Sequence, residues 1–369
     1  METTMTSESE TIFQKIESAR RPEDFFGPLS GSAEQREKGV DARHHEVVIK
    51  IHPDLNAGST RSKEAFQRFQ DLVEQAKAAI KADTYGHSGV VTITTKQHTY
   101  SVGDALDPMG AAHCYQCLAD GITHGVFTVA QTPADNDLLQ TEAKMLQLLT
   151  SPNRTEAKGY LPMLPKLTET FRYTEGGGIE RQANVYTTTP GFVSIKQIQE
   201  AYPAGVGPKH LNWIWRRLLD VLGYAHSRGV IHGAVLPTNV LIGLDDHHDV
   251  VLTNWQAAVL VDGGSTAHIS VMDQTYKEWY PPEVPKKLTP TYGTDLMMSA
   301  RCMIAMVGGN PVSGMLPPAI HPRIAGFLQS CLLIPPSQRP QSAWQLRREF
   351  TTAMDQLGKR EYHPLSLPK

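Results

Sequence analysis

The chain has 369 residues, 40% of them hydrophobic, enough for a sizeable core and for two or three units of ordinary domain length. Its net charge of -3 carries no overall signal for nucleic acid or a membrane surface, and no run reaches the ~18–20 apolar residues that cross a bilayer. Four cysteines in a chain this size suit a reducing compartment, and so a cytoplasmic protein without a disulfide framework.

Met1 to Glu10 is rich in Thr, Ser and Glu and has no basic region followed by an apolar run. Residues 1–20 are therefore expected to form a disordered tail and not a signal peptide. From Arg21 the chain reads R-P-E-D-F-F-G-P-L, then a charged helical stretch from about Ala33 to Lys50, then Ile51-His52-Pro53-Asp54. A second helix follows from about Lys63 to Ala82, with Phe66, Phe69, Val73, Ala76 and Ile80 at the three-to-four residue recurrence of one buried face. The first helix must stop near His52, because a residue preceding proline is pushed out of the α region. Leu55 to Arg61, with Asn56 and Gly58, is then a loop between antiparallel helices.

A helical hairpin with His-Pro-Asp at its tip, followed by a helix carrying F-x-x-F, resembles the J-domain of the DnaJ family over about Pro22 to Asp83. The resemblance implies a small all-α domain at residues 21–83. It also implies that His52, Pro53 and Asp54, with Lys50 beside them, engage a DnaK-type heat-shock chaperone and trigger its ATP hydrolysis. The proline stiffens the loop, and the Asp54 carboxylate is one that an arginine on a partner can grip. The family's preceding helix presents a basic face, whereas here Arg36, Lys38, Arg43 and Lys50 are interleaved with Glu34, Glu37, Asp41 and Glu46, and Gly39 falls inside the helix. The other reading of the tripeptide is an ordinary helix-terminating turn.

Residues 84–89 read as a polar linker. Val90 to Val102 alternates β-branched and polar residues and is expected to be one strand. Cys114-x-x-Cys117 has a spacing that binds zinc or does redox chemistry, but no second pair exists and side chains three apart on a strand face opposite ways, so packing explains it. Gly125 to Gln131 reads as a strand, and Asp135 and Asn136 are expected to cap a helix over Asp137 to Leu149, with Leu138, Leu139, Met145, Leu146 and Leu149 on one face. Thr168–Thr174 and Asn184–Thr188 are strand-like around the flexible Gly176-Gly177-Gly178. Phe192 to Ile198 leads into a loop, and His210 to Arg228 reads as a long amphipathic helix. The Met-rich run Leu296 to Val307 is expected to be a buried helix.

Between these helices, Val230 to Gln256 reads V-I-H-G-A-V-L-P-T-N-V-L-I-G-L-D-D-H-H-D-V-V-L-T-N-W-Q. This layout resembles a protein-kinase active centre, an H-R-D-x-x-x-x-N loop followed by a hairpin and D-F-G. By that resemblance His232, Gly233 and Ala234 stand in place of His-Arg-Asp, Asn239 falls at the metal-binding Asn, and Asn254-Trp255-Gln256 replaces Asp-Phe-Gly. Gly110 is the one glycine left in the phosphate-covering loop, Asp107-Pro108-Met109-Gly110-Ala111-Ala112. Thr128 takes the place of the phosphate-gripping lysine. Glu142 takes that of its helix glutamate, which without the lysine is expected to face solvent or another donor. Glu283 in Tyr280-Pro281-Pro282-Glu283 resembles the A-P-E glutamate, Arg339 the late arginine that pairs with it, and Asp295 the aspartate that anchors the catalytic loop. The matches keep their order from Tyr100 to Phe350, which implies a bilobal kinase-like domain over residues 90–355 and a tail at 356–369.

Phosphoryl transfer needs one aspartate to accept the substrate proton and another to hold magnesium. Alanine does neither, Asn254 offers only a neutral amide, and losing a general base alone costs roughly 10²–10⁴-fold in rate. The resemblance thus implies a pseudokinase: no enzyme, no cofactor, no bound metal, with His232 a packing residue. His247-His248 beside Asp245, Asp246 and Asp249 could bind a metal, although a polar turn explains them as well. The whole reads as an α+β protein, a small J-domain-like hairpin followed by a bilobal kinase-like fold. It would act as a cochaperone that recruits and stimulates a DnaK-type chaperone, the kinase-like domain holding a client protein or serving as scaffold, with no nucleic-acid or membrane partner. The alternatives are an interaction module without a chaperone role and an atypical kinase.

Overall fold

In the computed structural model, described for residues 7–19, 21–27, 29, 32–53, 59–81, 85, 91–151, 158–174, 179–188, 191–244, 249–261, 267–358 and 364–367, the chain divides into two units, Met1–Ile93 and Thr94–Lys369. Between Ser7 and Lys81 the first unit is helical, with α1 (Ser7–Ser18), α2 (Pro22–Phe26), α3 (Ala33–Ile51) and α4 (Thr60–Lys81), and the boundary at Ile93 falls within the first strand of the sheet that follows. The apolar stripe of α4, with Ala65, Phe69, Leu72, Val73, Ala76 and Ile80 buried, is the surface on which the others pack. It meets Val40, Val47 and Ile51 from α3, Phe25 from α2, and Phe13 and Ile16 from α1. Ser32 opens α3 with a capping box, its hydroxyl accepting the Gln35 N–H while the Gln35 side chain accepts the Ser32 N–H. A side chain at Gly39 would stand 3.2 Å from Leu29, so the glycine makes room for a packing contact.

Three boundary expectations need correction. Of the tail expected over residues 1–20, the described part 7–19 is ordered: α1 is helical, Phe13 and Ile16 are fully buried, and Arg61 reaches back from α4 to Glu17 at 2.6 Å and Glu10 at 3.0 Å. The linker expected at 84–89 also begins inside this unit, since Tyr85 is buried and donates its hydroxyl to the Gly27 carbonyl at 2.9 Å. At the other end, the described residues 364–367 of the tail expected over 356–369 pack on the second unit. Leu365 is buried in the second unit's core, and the Tyr202 hydroxyl donates to the Ser366 carbonyl.

The second unit starts from a six-stranded sheet in the order β1 (Val91–Thr94), β2 (Thr99–Met109), β3 (Ala112–Ala119), β4 (Thr123–Ala130), β6 (Glu180–Thr187), β5 (Lys166–Thr174). The expected single strand over Val90 to Val102 is instead two strands, broken where the Thr95 N–H donates to the His98 carbonyl. Register shifts interrupt the β2–β3 ladder beside Asp107 and Pro108, as expected where a proline supplies no amide. The helix α5 (Asn136–Thr150) packs against β6, but neither expected cap closes it. Asp135 takes the Thr132 N–H and hydroxyl, and Asn136 ties instead to the backbone of Glu180 and Gln182.

Phe192 to Ile198, expected to run into a loop, forms β7 (Phe192–Ser194) and the start of α6 (Ile195–Ala201), capped by the Ser194 hydroxyl. The remainder comprises α7 (Pro208–Ser227), β8 (Val230–Ile231), β9 (Val240–Gly243), β10 (Val250–Leu252), β11 (Val259–Leu260), α8 (Tyr292–Met306), α9 (Pro322–Cys331) and α10 (Ala343–Leu357). Its core joins Trp215, Leu218 and Leu222 of α7, Met298, Met303 and Ile304 of α8, and Phe350 of α10. Helix α8 is buried from Gly293 to Met306, which is why its sequence is largely apolar, with Asp295 and Arg301 as buried charged exceptions.

Candidate functional site

The segment between β8 and β11 is organised from below by one carboxylate. Asp295, fully buried in the first turn of α8, accepts the His232 N–H at 2.8 Å, the Gly233 N–H at 2.9 Å and His226 Nε2 at 2.9 Å. It thereby joins the end of α7, the start of α8 and the loop after β8 at a single point. Gly233 is in the left-handed region at φ 76°, and a Cβ there would lie 2.6 Å from the Ala257 carbonyl oxygen, so only glycine passes. Sequence reasoning missed His226; a histidine in the last turn of an otherwise apolar buried helix face was its only signal.

His232 is buried and fixed in one tautomer: Nε2–H donates to the Thr253 carbonyl at 2.9 Å, while Nδ1 accepts the Ala234 N–H at 3.2 Å. Its ring meets Trp255 edge-on at 4.5 Å, and burial pushes its pKa down to about 4, so the ring is neutral. The Ala234 carbonyl accepts from Asn239 Nδ2 at 2.9 Å, and the Asn239 oxygen accepts from Asn254 Nδ2 at 3.3 Å. The two amides thus close on each other. Asn254 sits at φ 60°, ψ 68°, a left-handed conformation that Asn tolerates better than most side chains.

Above them, Thr128 on β4 is buried and donates its hydroxyl to the Asn184 carbonyl at 3.0 Å. Glu142 on α5 does not face solvent: it is fully buried and accepts the Trp255 N–H at 2.9 Å. Burial raises its pKa, against hydrogen bonds from Tyr186, Trp255, Gln256 and Asn184, and no cation is among these neighbours. Gly110 marks the turn between β2 and β3 at φ 56°. Beside it, Gln256 is 2% exposed; its Oε1 accepts the Ala111 N–H at 2.8 Å and its Nε2 donates to the Met109 carbonyl at 3.1 Å. Hydrogen bonds therefore join Gly110, through Gln256, and Glu142, His232, Ala234, Asn239 and Asn254 in one buried network of neutral amides and a single carboxyl group, with Thr128 reaching it through Asn184.

Glu283 and Arg339 meet elsewhere in this unit. Arg339 donates to both carboxylate oxygens, at 2.5 and 3.0 Å, and to the Leu333 and Ile334 carbonyls, while the Thr294 hydroxyl donates to Glu283 at 3.0 Å. Burial alone would raise the Glu283 pKa, but the hydrogen bonds and charge of Arg339, together with hydrogen bonds from the backbone and Thr294, hold it below the usual value. Cys114 and Cys117 are both buried on β3, their thiols pushed up to about 12 and about 11 by burial, which makes them unreactive.

In the helical unit, α3 ends at Ile51, and His52 and Pro53 lead out of it, both half-buried. The His52 ring stands edge-on to Phe66 of α4 at 5.7 Å, so this histidine is not wholly on an exposed turn. Asp54, like Asp245, Asp246, His247, His248 and the three glycines at 176–178, lies outside the described residues. Lys50 pairs with Glu46 at 3.2 Å, Arg43 with the same carboxylate at 2.8 Å, and Lys38 with Glu34 at 2.8 Å.

A strand-rich part carrying one helix, followed by a helical part built on α7 and α8, is the arrangement of a protein-kinase-like fold. Among solved structures the chain is similar to the kinase domain of Mycobacterium tuberculosis PknI, a double mutant, with 18% identity over 73% of this chain and 99% of that one, at a TM-score of 0.54. At this identity the likeness shows the fold alone. No protein-family model and no curated protein matches the sequence. No helix among the described residues is long and apolar enough to cross a membrane.

Proposed function

We propose that the chain is an adaptor: a kinase-like unit that does not transfer phosphate, carrying a J-domain-like helical unit that recruits a DnaK-type chaperone and stimulates its ATP hydrolysis. The observation that carries the first half is the closure of Asn239 on Asn254 beneath a lysine position filled by Thr128. A cleft with no lysine, no general base and no magnesium carboxylate at these positions lacks the groups that phosphoryl transfer uses. The second half rests on His52-Pro53-Asp54 between two packed helices. The kinase-like unit then serves as the surface that holds a client or an assembly. A cytoplasmic location fits this role and the four free thiols.

The test is ATP turnover by the host's DnaK-type chaperone with the full chain added. Wild-type protein should stimulate turnover, His52→Gln or Asp54→Asn should abolish the stimulation, and rising salt should weaken it, since exposed ion pairs are screened over about 10 Å at moderate ionic strength. His52→Gln gives up an edge-on ring contact with Phe66 at a half-buried position, so folding should change by about 1 kcal/mol. No stimulation by wild-type protein would remove the chaperone half. A second reading, an interaction module without a chaperone role, is favoured by the pairing of Arg43 and Lys50 with Glu46 and of Lys38 with Glu34, which neutralises much of the basic helix face that such docking uses.

A further inference from the structure

The turn at Gly110 is where the kinase resemblance places backbone amides that cover nucleotide phosphates. Here that position is already taken from within the chain. The Gln256 amide spans the turn as a neighbouring strand would, accepting the Ala111 N–H at 2.8 Å and donating to the Met109 carbonyl at 3.1 Å. The fit depends on the glycine, because a Cβ at Gly110 would lie 2.5 Å from Gln256 Oε1 and 3.1 Å from the Asn254 amide nitrogen. The base of Gln256 is held as well. The preceding Trp255 N–H is bonded to Glu142, and Asn254 is bonded to Asn239.

We infer that Gln256 is a built-in clasp, its side-chain amide occupying the place of a bound nucleotide's phosphates and holding the Gly110 turn down on the cleft, so that closure needs no ligand. In an ordinary kinase-like cleft the turn amides are free until an anion arrives. In this one, the Ala111 N–H is spent on a buried amide, and an incoming phosphate must first break two satisfied hydrogen bonds at a position 2% exposed. The consequence is a fixed arrangement of the sheet against the Asn254-Trp255-Gln256 segment, with Glu142 and Gln256 as its two fasteners. The inference rests on the kinase-like fold and goes beyond the adaptor reading, since it holds or fails whether or not a chaperone responds.

The test is amide hydrogen exchange by NMR on the full chain, read at Ala111 and, as an internal control, at Gln131, whose N–H donates to the Ala111 carbonyl at 2.9 Å. In wild-type protein the Ala111 amide should be protected and unaffected by magnesium-ATP. Gln256→Ala should speed exchange at Ala111 by about tenfold or more while leaving Gln131 unchanged, as loss of one local pair of hydrogen bonds requires. Gly110→Ala, which pushes the Gln256 oxygen away without removing it, should do the same and stands in if Gln256→Ala does not fold. Equal Ala111 rates in wild type and variant would overturn the inference. So would slowing by magnesium-ATP in wild-type protein, or parallel acceleration at both amides in both variants, which would mean that the hairpin as a whole holds the turn.

Discussion

Beneath the cleft, Asp295 accepts two backbone N–H groups and His226, and Glu283 is gripped through both oxygens by Arg339. Within the cleft, Asn239 faces Asn254, Gln256 faces the Gly110 turn, and Thr128 bonds a carbonyl. The two regions lie in the same unit and differ in how they treat charge. Where a buried charge has fixed partners within the chain, it is present and fully coordinated. Where a buried charge would need a ligand for its partner, a neutral amide or hydroxyl stands instead, because an unpaired buried charge costs several kcal/mol. Glu142 is the exception, and burial without a cation raises its pKa toward the neutral acid.

The comparison fails first if the lower region does not bear stability. Arg339→Met strands Glu283 among buried groups, and the expected loss is about 3–5 kcal/mol, measured by urea unfolding. A loss below about 1 kcal/mol would show that the ion pair is ornamental.

A second test uses pH. His232 has its pKa depressed from 6.5 to about 4 by burial, so the folded state resists protonation while the unfolded chain accepts it. The stability this neutral ring confers is present above pH 6.5 and is lost as pH falls through the window down to pH 4, by about 3 kcal/mol in all. Thermal unfolding of wild type and His232→Gln across that window should therefore converge at low pH. Parallel curves would mean that His232 is not held neutral.

The smallest expected effect lies in the cleft. Asn254→Gly keeps the left-handed backbone and removes only the 3.3 Å contact with Asn239, so stability should change by less than about 1 kcal/mol. A loss above about 2 kcal/mol would erase the contrast, because the cleft amides would then be as structural as the charges below them.

Helices α4, α5, α7 and α8 are legible in the sequence, by periodicity or by a largely apolar run, and the order of the motifs from Tyr100 to Phe350 is legible through the resemblance. The β1–β2 break is not, because the turn over Thr95-Lys96-Gln97-His98 contains neither glycine nor proline to mark it. Helix α1 is hidden for a different reason: only Ile12, Phe13 and Ile16 supply apolar side chains, and three among serines, threonines and glutamates are too few to establish a periodicity. In the cleft, the loop positions can be read by their order, but their partners cannot. Gln256 meets Met109 and Ala111 across 147 and 145 residues, and Glu142 meets Trp255 across 113, contacts that tertiary packing alone decides. The same holds for Glu283 and Arg339, 56 residues apart and linked in sequence only through the resemblance.

The most direct test of the claim that the kinase-like unit is a scaffold and not a catalyst is a thermal-shift titration of the full chain with magnesium-ATP. The account predicts no saturable stabilisation up to millimolar nucleotide, because the lysine, two loop glycines and the metal aspartate are replaced and the remaining turn amide is bonded to Gln256. Saturable stabilisation by more than about 4 °C at sub-millimolar magnesium-ATP would contradict it, since only binding to the folded state shifts the transition in that way.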